Sequence, residues 1–136
     1  MTEFLWPIRV YYEDTDHGGV VYYANYLKFM ERARSEWLRS LGFEQDTLAE
    51  SEGVLFAVRR AEIDYLRPAR FNEALMVRTT ISEHGKASLT FLQEILLDGS
   101  DQLLCRGVIR VACLDAERFR PRAIPKTMIQ EMQLEQ

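Results

Sequence analysis

The chain has 136 residues, 47% hydrophobic and 28% charged, with a formal net charge of -4. That is room for one compact domain with its own core and too little for two. The acidic balance argues against a nucleic-acid binder working through an overall positive field, and no apolar run approaches the roughly 20 residues of a membrane span. The N-terminal stretch MTEFLWPIRV lacks a basic leader and a long apolar segment, so no signal peptide is expected and a cytoplasmic address is the default.

Residues 5–13, rich in Val, Ile, Trp and Tyr, read as a first strand, and Pro7 suits an edge position or a strand start. After the turn DTDHGG the period changes. Tyr26, Phe29, Met30, Ala33, Trp37 and Leu41 recur at steps of three and four, which is one helical face. Arg32 and Glu36 stand four apart on this helix and are expected to pair weakly. Gly42 is the natural stop, giving a helix of about 16 to 20 residues. A polar segment, EQDTLAESEG, comes after it with room for a short helical turn.

Four strand-like runs come next, at residues 54–66, 74–83, 88–97 and 102–114. Leu75, Val77, Thr79 and Ile81 alternate with Met76, Arg78, Thr80 and Ser82, and short polar loops with glycine join the runs as hairpins. Pro125 suits the first turn of a short C-terminal helix. Cys105 and Cys113 fall on one strand, about 27 Å apart at roughly 3.3 Å per residue, too far for a disulfide. They are expected as core residues or free thiols of a reducing compartment. One long helix cannot cover both faces of a five-stranded sheet. The expectation is an α+β fold in which the sheet curls around the helix, with self-association covering the other face and the open edges.

The usual signatures of chemistry are absent: there is no G-x-S-x-G elbow and no phosphate loop, and His17 and His84 are too few for a His-rich metal site. That leaves EDTDHGG. Residue types alone allow an Asx-type turn that reverses the chain and caps the next element. A calcium loop fails, because position five from Asp14 is Gly18 and position twelve is Asn25. An aspartate-dependent phosphatase would need a parallel α/β core, not a meander. The remaining reading puts the carboxylate of Asp16 just before a helix N-terminus, with Gly18 and Gly19 turning the chain tightly. Unpaired N–H groups at a helix start can hold a developing oxyanion, and a carboxylate beside them can attack or activate water.

VYYEDTDHGGVVYYANYLKFMERARSEWL, residues 10–38, resembles the opening motif of the hot-dog thioesterases of the 4-hydroxybenzoyl-CoA thioesterase class, and most of all the bacterial Tol-Pal-associated acyl-CoA thioesterases. The similarity continues through FAVRRAEIDYLRPARFNEALMVRT and RPRAIPK, nearly the whole chain. The resemblance implies a five-stranded antiparallel sheet around one long helix, homodimers or homotetramers joined through their sheets, and hydrolysis of acyl-CoA at a site shared between subunits. It implies Asp16 as catalytic carboxylate, the backbone N–H of Tyr23 as the group polarising the thioester carbonyl, and no cofactor beyond the CoA of the substrate. Many of the nearest relatives carry histidine where this chain has Tyr23, and the hydroxybenzoyl branch carries tyrosine; His17 is one candidate substitute for that imidazole, the alternative being an exposed turn histidine. Asp14 is expected to shape the turn. Gly19 and Tyr22 are placed at the substrate, and Lys86, Ser88 and Arg122 at the CoA phosphates, where the basic run ERFRPRAIPK stands out in an acidic chain. The resemblance also brings association with envelope or lipid-metabolism proteins into view. Two alternatives remain: a hydratase on acyl thioesters, which in other families pairs a histidine with an acid, and a non-catalytic acyl-CoA binder or scaffold.

Overall fold

The computed structural model describes residues 2–134. The elements are β1 (Glu3–Arg9), α1 (Asn25–Ser40), α2 (Gln45–Ser51), β2 (Val54–Tyr65), β3 (Ala74–His84), β4 (Ser88–Leu97), β5 (Leu103–Asp115) and α3 (Lys126–Glu131). The five strands form one antiparallel sheet in the order β1-β3-β4-β5-β2. Phe4 of β1 stacks on Trp37 of α1, Phe91 of β4 meets the same ring edge-on, and a Cβ on Gly107 of β5 would strike Met30 of the same helix. Strands from across the sheet thus reach one helix, so the sheet bends around it. The apolar face of α1 is buried as the three-and-four spacing predicts: Phe29, Met30 and Ala33 have no exposed surface. Gly107 permits the close approach, since any larger side chain would push Met30 away.

Several boundaries differ from expectation. The first strand ends at Arg9 rather than at residue 13, because residues 12–14 wind into a 3-10 turn. In that turn the Tyr11 N–H donates to Asp14 Oδ2 at 2.8 Å, while the Asp14 N–H donates to the Tyr11 carbonyl at 3.0 Å. The aspartates therefore sit beyond a tight turn, not on a strand end. The long helix begins at Asn25, just after Tyr22 and Tyr23. It stops at Gly42, which takes φ 93, a left-handed value glycine reaches without a side-chain clash. Glu36 pairs with Arg39 rather than with Arg32, and Arg39 also reaches Glu44 at 3.1 Å. Both partners are exposed enough that water screens the pair. Pro125 caps α3 from outside instead of occupying its first turn.

β1 and β2 are the two sheet edges. Pro7 lies on β1, where its missing N–H costs least. β2 is longer, with 12 residues, and residues 59–62 are exposed on both faces. Among the described residues no helix is long and apolar enough to cross a membrane.

Candidate active site

The loop between β1 and α1 is held from several sides. The Asp14 carbonyl accepts both the Tyr22 N–H and the Asn25 side-chain N–H, each at 2.9 Å. Asp14 itself is buried, so its carboxylate and carbonyl both serve the backbone. The Asp16 N–H donates to the Val20 carbonyl at 2.9 Å, and the Gly19 N–H to the Asp16 carbonyl at 3.0 Å. Gly19 takes φ 77 at this corner, and nothing lies within 4 Å of where its Cβ would stand. The far side of the loop is stitched to the β2–β3 connection: the Val21 N–H donates to the Ala69 carbonyl at 2.9 Å, and the Tyr26 hydroxyl accepts the Ala69 N–H at 3.0 Å.

Asp16 projects from this frame with an exposed side chain, and its Oδ1 accepts the Gly18 N–H at 2.9 Å. That bond fixes the carboxylate and leaves Oδ2 without a hydrogen-bond partner among the described residues. The backbone N–H groups of Tyr23 and Ala24 also find no acceptor among the described residues. They open the way into a helix of 16 residues whose dipole adds positive potential at this end. Burial, with smaller contributions from Cys105, Glu73 and Asp16, pushes the Tyr26 hydroxyl above its usual pKa, opposed by the Ala69 N–H.

Aromatic rings surround the helix start. The Tyr22 and Tyr23 ring centres lie 4.9 Å apart, Tyr23 meets Tyr65 edge-on at 6.1 Å, and Tyr65 meets Tyr26 at 5.6 Å. The Tyr65 hydroxyl donates to the Tyr23 carbonyl at 3.2 Å, which orients the peptide just before the helix. The neighbouring Tyr23 hydroxyl, first as acceptor of the Tyr22 O–H and then through its charge, raises the Tyr22 hydroxyl above its usual pKa. Tyr23 is 60% exposed, open to a ligand. Tyr65 and Ala69 belong to this site and sequence reasoning missed both. Their only sequence signal is position, at the end of β2 and just beyond it. His17 is exposed on the same loop.

The cationic residues gather elsewhere. The Gly85 N–H donates to the Ser88 carbonyl at 2.9 Å to close the β3–β4 hairpin, and the Lys86 carbonyl accepts the Ile124 N–H at 2.9 Å. A hollow of about 600 Å³ lies between hairpin and C-terminal segment, with Lys86 and Lys126 on its rim and Ile124 and Ile129 in its wall. Arg122 is partly committed to the fold: its Nη1 donates to the Gly53 carbonyl and to Asp115, both at 3.2 Å. N–H donors at Arg118 and Glu117, and then Arg122, hold the Asp115 carboxyl below the usual range.

These two groups stand at opposite ends of the sheet. The Asp16 loop adjoins the start of β3, where the Val10 N–H donates to the Glu73 carbonyl at 3.0 Å. Lys86 lies past the other end of β3, whose 11 residues span about 33 Å at roughly 3.3 Å each. Within one chain the structure brings Asp16, His17, Gly19, Tyr22 and Tyr23 together, and separately Lys86, Ser88 and Arg122.

Comparison with known proteins decides what this frame is. Residues 10–133 match the family model of the thioesterase-like superfamily. The chain belongs to the thioesterase-like superfamily. It is 46% identical over 123 residues to the acyl-CoA thioesterase YbgC of Haemophilus influenzae, covering 90% of this chain and 89% of that one. It is 45% identical over 130 residues to the acyl-CoA thioester hydrolase YbgC of Escherichia coli O6:H1, covering 96% of each. The solved structure of Slr0204, a 1,4-dihydroxy-2-naphthoyl-CoA thioesterase from Synechocystis, superposes with a TM-score of 0.90 at 25% identity, over 97% of this chain and 96% of that one. The fold is therefore the hot-dog arrangement of this superfamily. In this member the cysteines are poor nucleophiles: burial pushes the Cys105 thiol up to about 12 and the Cys113 thiol up to about 11.

Proposed function

We propose that this chain hydrolyses acyl-CoA thioesters to a free acid and CoA, with Asp16 as the catalytic carboxylate and the Tyr23 N–H as the donor to the thioester oxygen. One observation carries the reading: Asp16 is pinned through one oxygen by Gly18 on the short, hydrogen-bonded loop that leads into α1, whose entry carries unclaimed N–H groups. The free carboxylate oxygen takes a proton from water or attacks the carbonyl carbon itself. The Tyr23 N–H stabilises the negative charge that forms on the carbonyl oxygen, and Tyr65 holds the next peptide, which carries the Ala24 N–H. CoA leaves as a thiolate, a good leaving group, so the step needs no strong acid. Water supplies the oxygen and proton that end in the products, and no cofactor is used. In water enriched in oxygen-18, a single turnover places label in Asp16 only if the carboxylate attacks directly.

The separation of the two ends supports a site built by two copies. β2 runs from Val54, opposite Asp115, to Tyr65, beside Tyr23. Its outer edge is unpaired and its middle is exposed. Antiparallel pairing of this edge with the same edge of a second copy is twofold and brings the Tyr65 end of one to the Val54 end of the other. Asp16 of one copy then approaches the Lys86 rim of its mate, where the CoA phosphates would lie. Two buried free cysteines fit a cytoplasmic enzyme.

Thiol release from acyl-CoAs by wild type and by Asp16→Asn tests the reading. Turnover should nearly vanish in the variant with its melting temperature kept. Retention of a tenth of the activity would remove Asp16 from the reaction.

A further inference from the structure

α1 carries one cation that the fold does not explain. Arg34 faces inward, and burial pulls its pKa below the usual value, opposed by the charge of Glu31. Its Nη1 donates to Gln93 Oε1 at 2.8 Å. Gln93 is fully buried and saturated: its amide nitrogen donates to the Met30 carbonyl at 2.9 Å and to Thr79 Oγ1 at 3.0 Å. No carboxylate among the described residues comes within salt-bridge distance of Arg34. Glu31 is engaged instead, accepting the Ser35 hydroxyl at 2.8 Å.

Tying α1 to Gln93 takes one N–H, and a neutral amide would supply it. A guanidinium has five and a permanent charge, and even half-burying it without a carboxylate is costly. Arg34 borders two connected hollows. The outer one, about 480 Å³, starts at Leu27 in the first turns of α1 and runs between the helix and β2 past Val58 and Ala61. The inner one, about 100 Å³, is walled by Phe56, Leu89, Phe91 and Met128. Glu31, Arg34 and Val58 line both. From Tyr23 to Arg34 the chain rises about 16 Å, of which an arginine reaching back toward the helix start spans several, leaving roughly eight to twelve bonds of extended chain.

We propose that Arg34 is a specificity-determining residue that receives a carboxylate at the far end of the acyl chain, so the preferred substrates are CoA thioesters of dicarboxylic acids. This rests on the thioesterase reading above. The acyl chain lies along the groove, and its terminal carboxylate meets Arg34, which lines both hollows and has no carboxylate partner among the described residues, whereas Lys28 and Arg32 border the outer hollow alone. A plain alkyl chain of equal length leaves that cation unpaired.

The test measures thiol release from pairs of acyl-CoAs of equal length, roughly eight to twelve carbons, one of each pair ending in methyl and the other in carboxylate. Wild type should favour the carboxylate by roughly tenfold or more in kcat/KM, the scale of a hydrogen-bonded charge pair. Arg34→Gln keeps an amide for Gln93 and removes the charge, and should bring the ratio of the two substrates to near one. Arg34→Lys should keep part of the preference. A wild-type ratio at or below one overturns the proposal even if the variants fail to fold. So does an unchanged ratio in Arg34→Gln, or a change in association state with the ratio unchanged. Absence of thiol release by wild type from any acyl-CoA, short unsubstituted ones included, is a different result: it brings down the thioesterase reading itself.

Discussion

The two ends of the sheet are built by opposite means. At the Asp16 end, backbone hydrogen bonds hold nearly everything: Asp14 clasps Tyr11, Tyr22 and Asn25, and Ala69 is bonded on both its carbonyl and its N–H. A short acidic side chain and two peptide N–H groups are fixed there. At the Lys86 end, long flexible cations ring an open hollow, and only Arg122 is anchored. Chemistry needs atoms placed to a fraction of an ångström, whereas phosphate binding tolerates mobile charge. On the proposed reading, rigid and mobile functions are thus segregated, and a second copy would join them.

The contrast breaks most sharply at Asp16. Asp16→Asn should lower kcat on acyl-CoA by about a hundredfold or more, with KM little changed. Stopped-flow thiol release together with thermal melting checks this. The next test joins the two ends. Asp16→Asn and Lys86→Glu should each be impaired alone, while coexpressed mixtures regain about a quarter of wild-type activity, because one site in each mixed dimer is intact. No recovery would place both functions in one chain. Lys86→Glu by itself should raise KM about tenfold and leave kcat nearly unchanged, and added salt should shrink the difference.

Smaller effects distinguish frame from chemistry. Asp14→Ala leaves the Tyr11 N–H without its acceptor and should cost about 1–3 kcal/mol of stability by denaturant titration. Its loss of activity should track the loss of folded protein. The cysteines give a weaker signature at high pH. Their folded values are raised, to about 12 and about 11. The unfolded chain therefore loses these protons first. The stability they contribute is full below about pH 8.5 and declines as pH rises toward the folded values. Cys105→Ala should flatten that decline, as melting temperatures between neutral and alkaline pH will show.

Much of the architecture was legible in the residues. The three-and-four spacing from Tyr26 to Trp37 specifies α1, because only a helix buries those side chains on one side. Alternation specifies β3 and β4 for the same reason at period two. The ends were less legible. Residues 10–13 have strand-like composition, but the Asp14 side chain offers the Tyr11 N–H a local acceptor and turns the chain early. Arg32 had the right spacing for Glu36, yet Arg39 took it.

The sequence by itself determined the layers, the turn that carries Asp16 and the family, since periodicity and short motifs are local properties of the chain. Only the tertiary structure decided that Tyr65 and Ala69 belong beside Tyr23, that Arg34 is tied to Gln93, and that Asp16 and Lys86 stand a sheet-length apart. Those facts depend on which distant strands pair and in what register. Register is set by the packing of the whole core at once, which no single stretch of residues encodes.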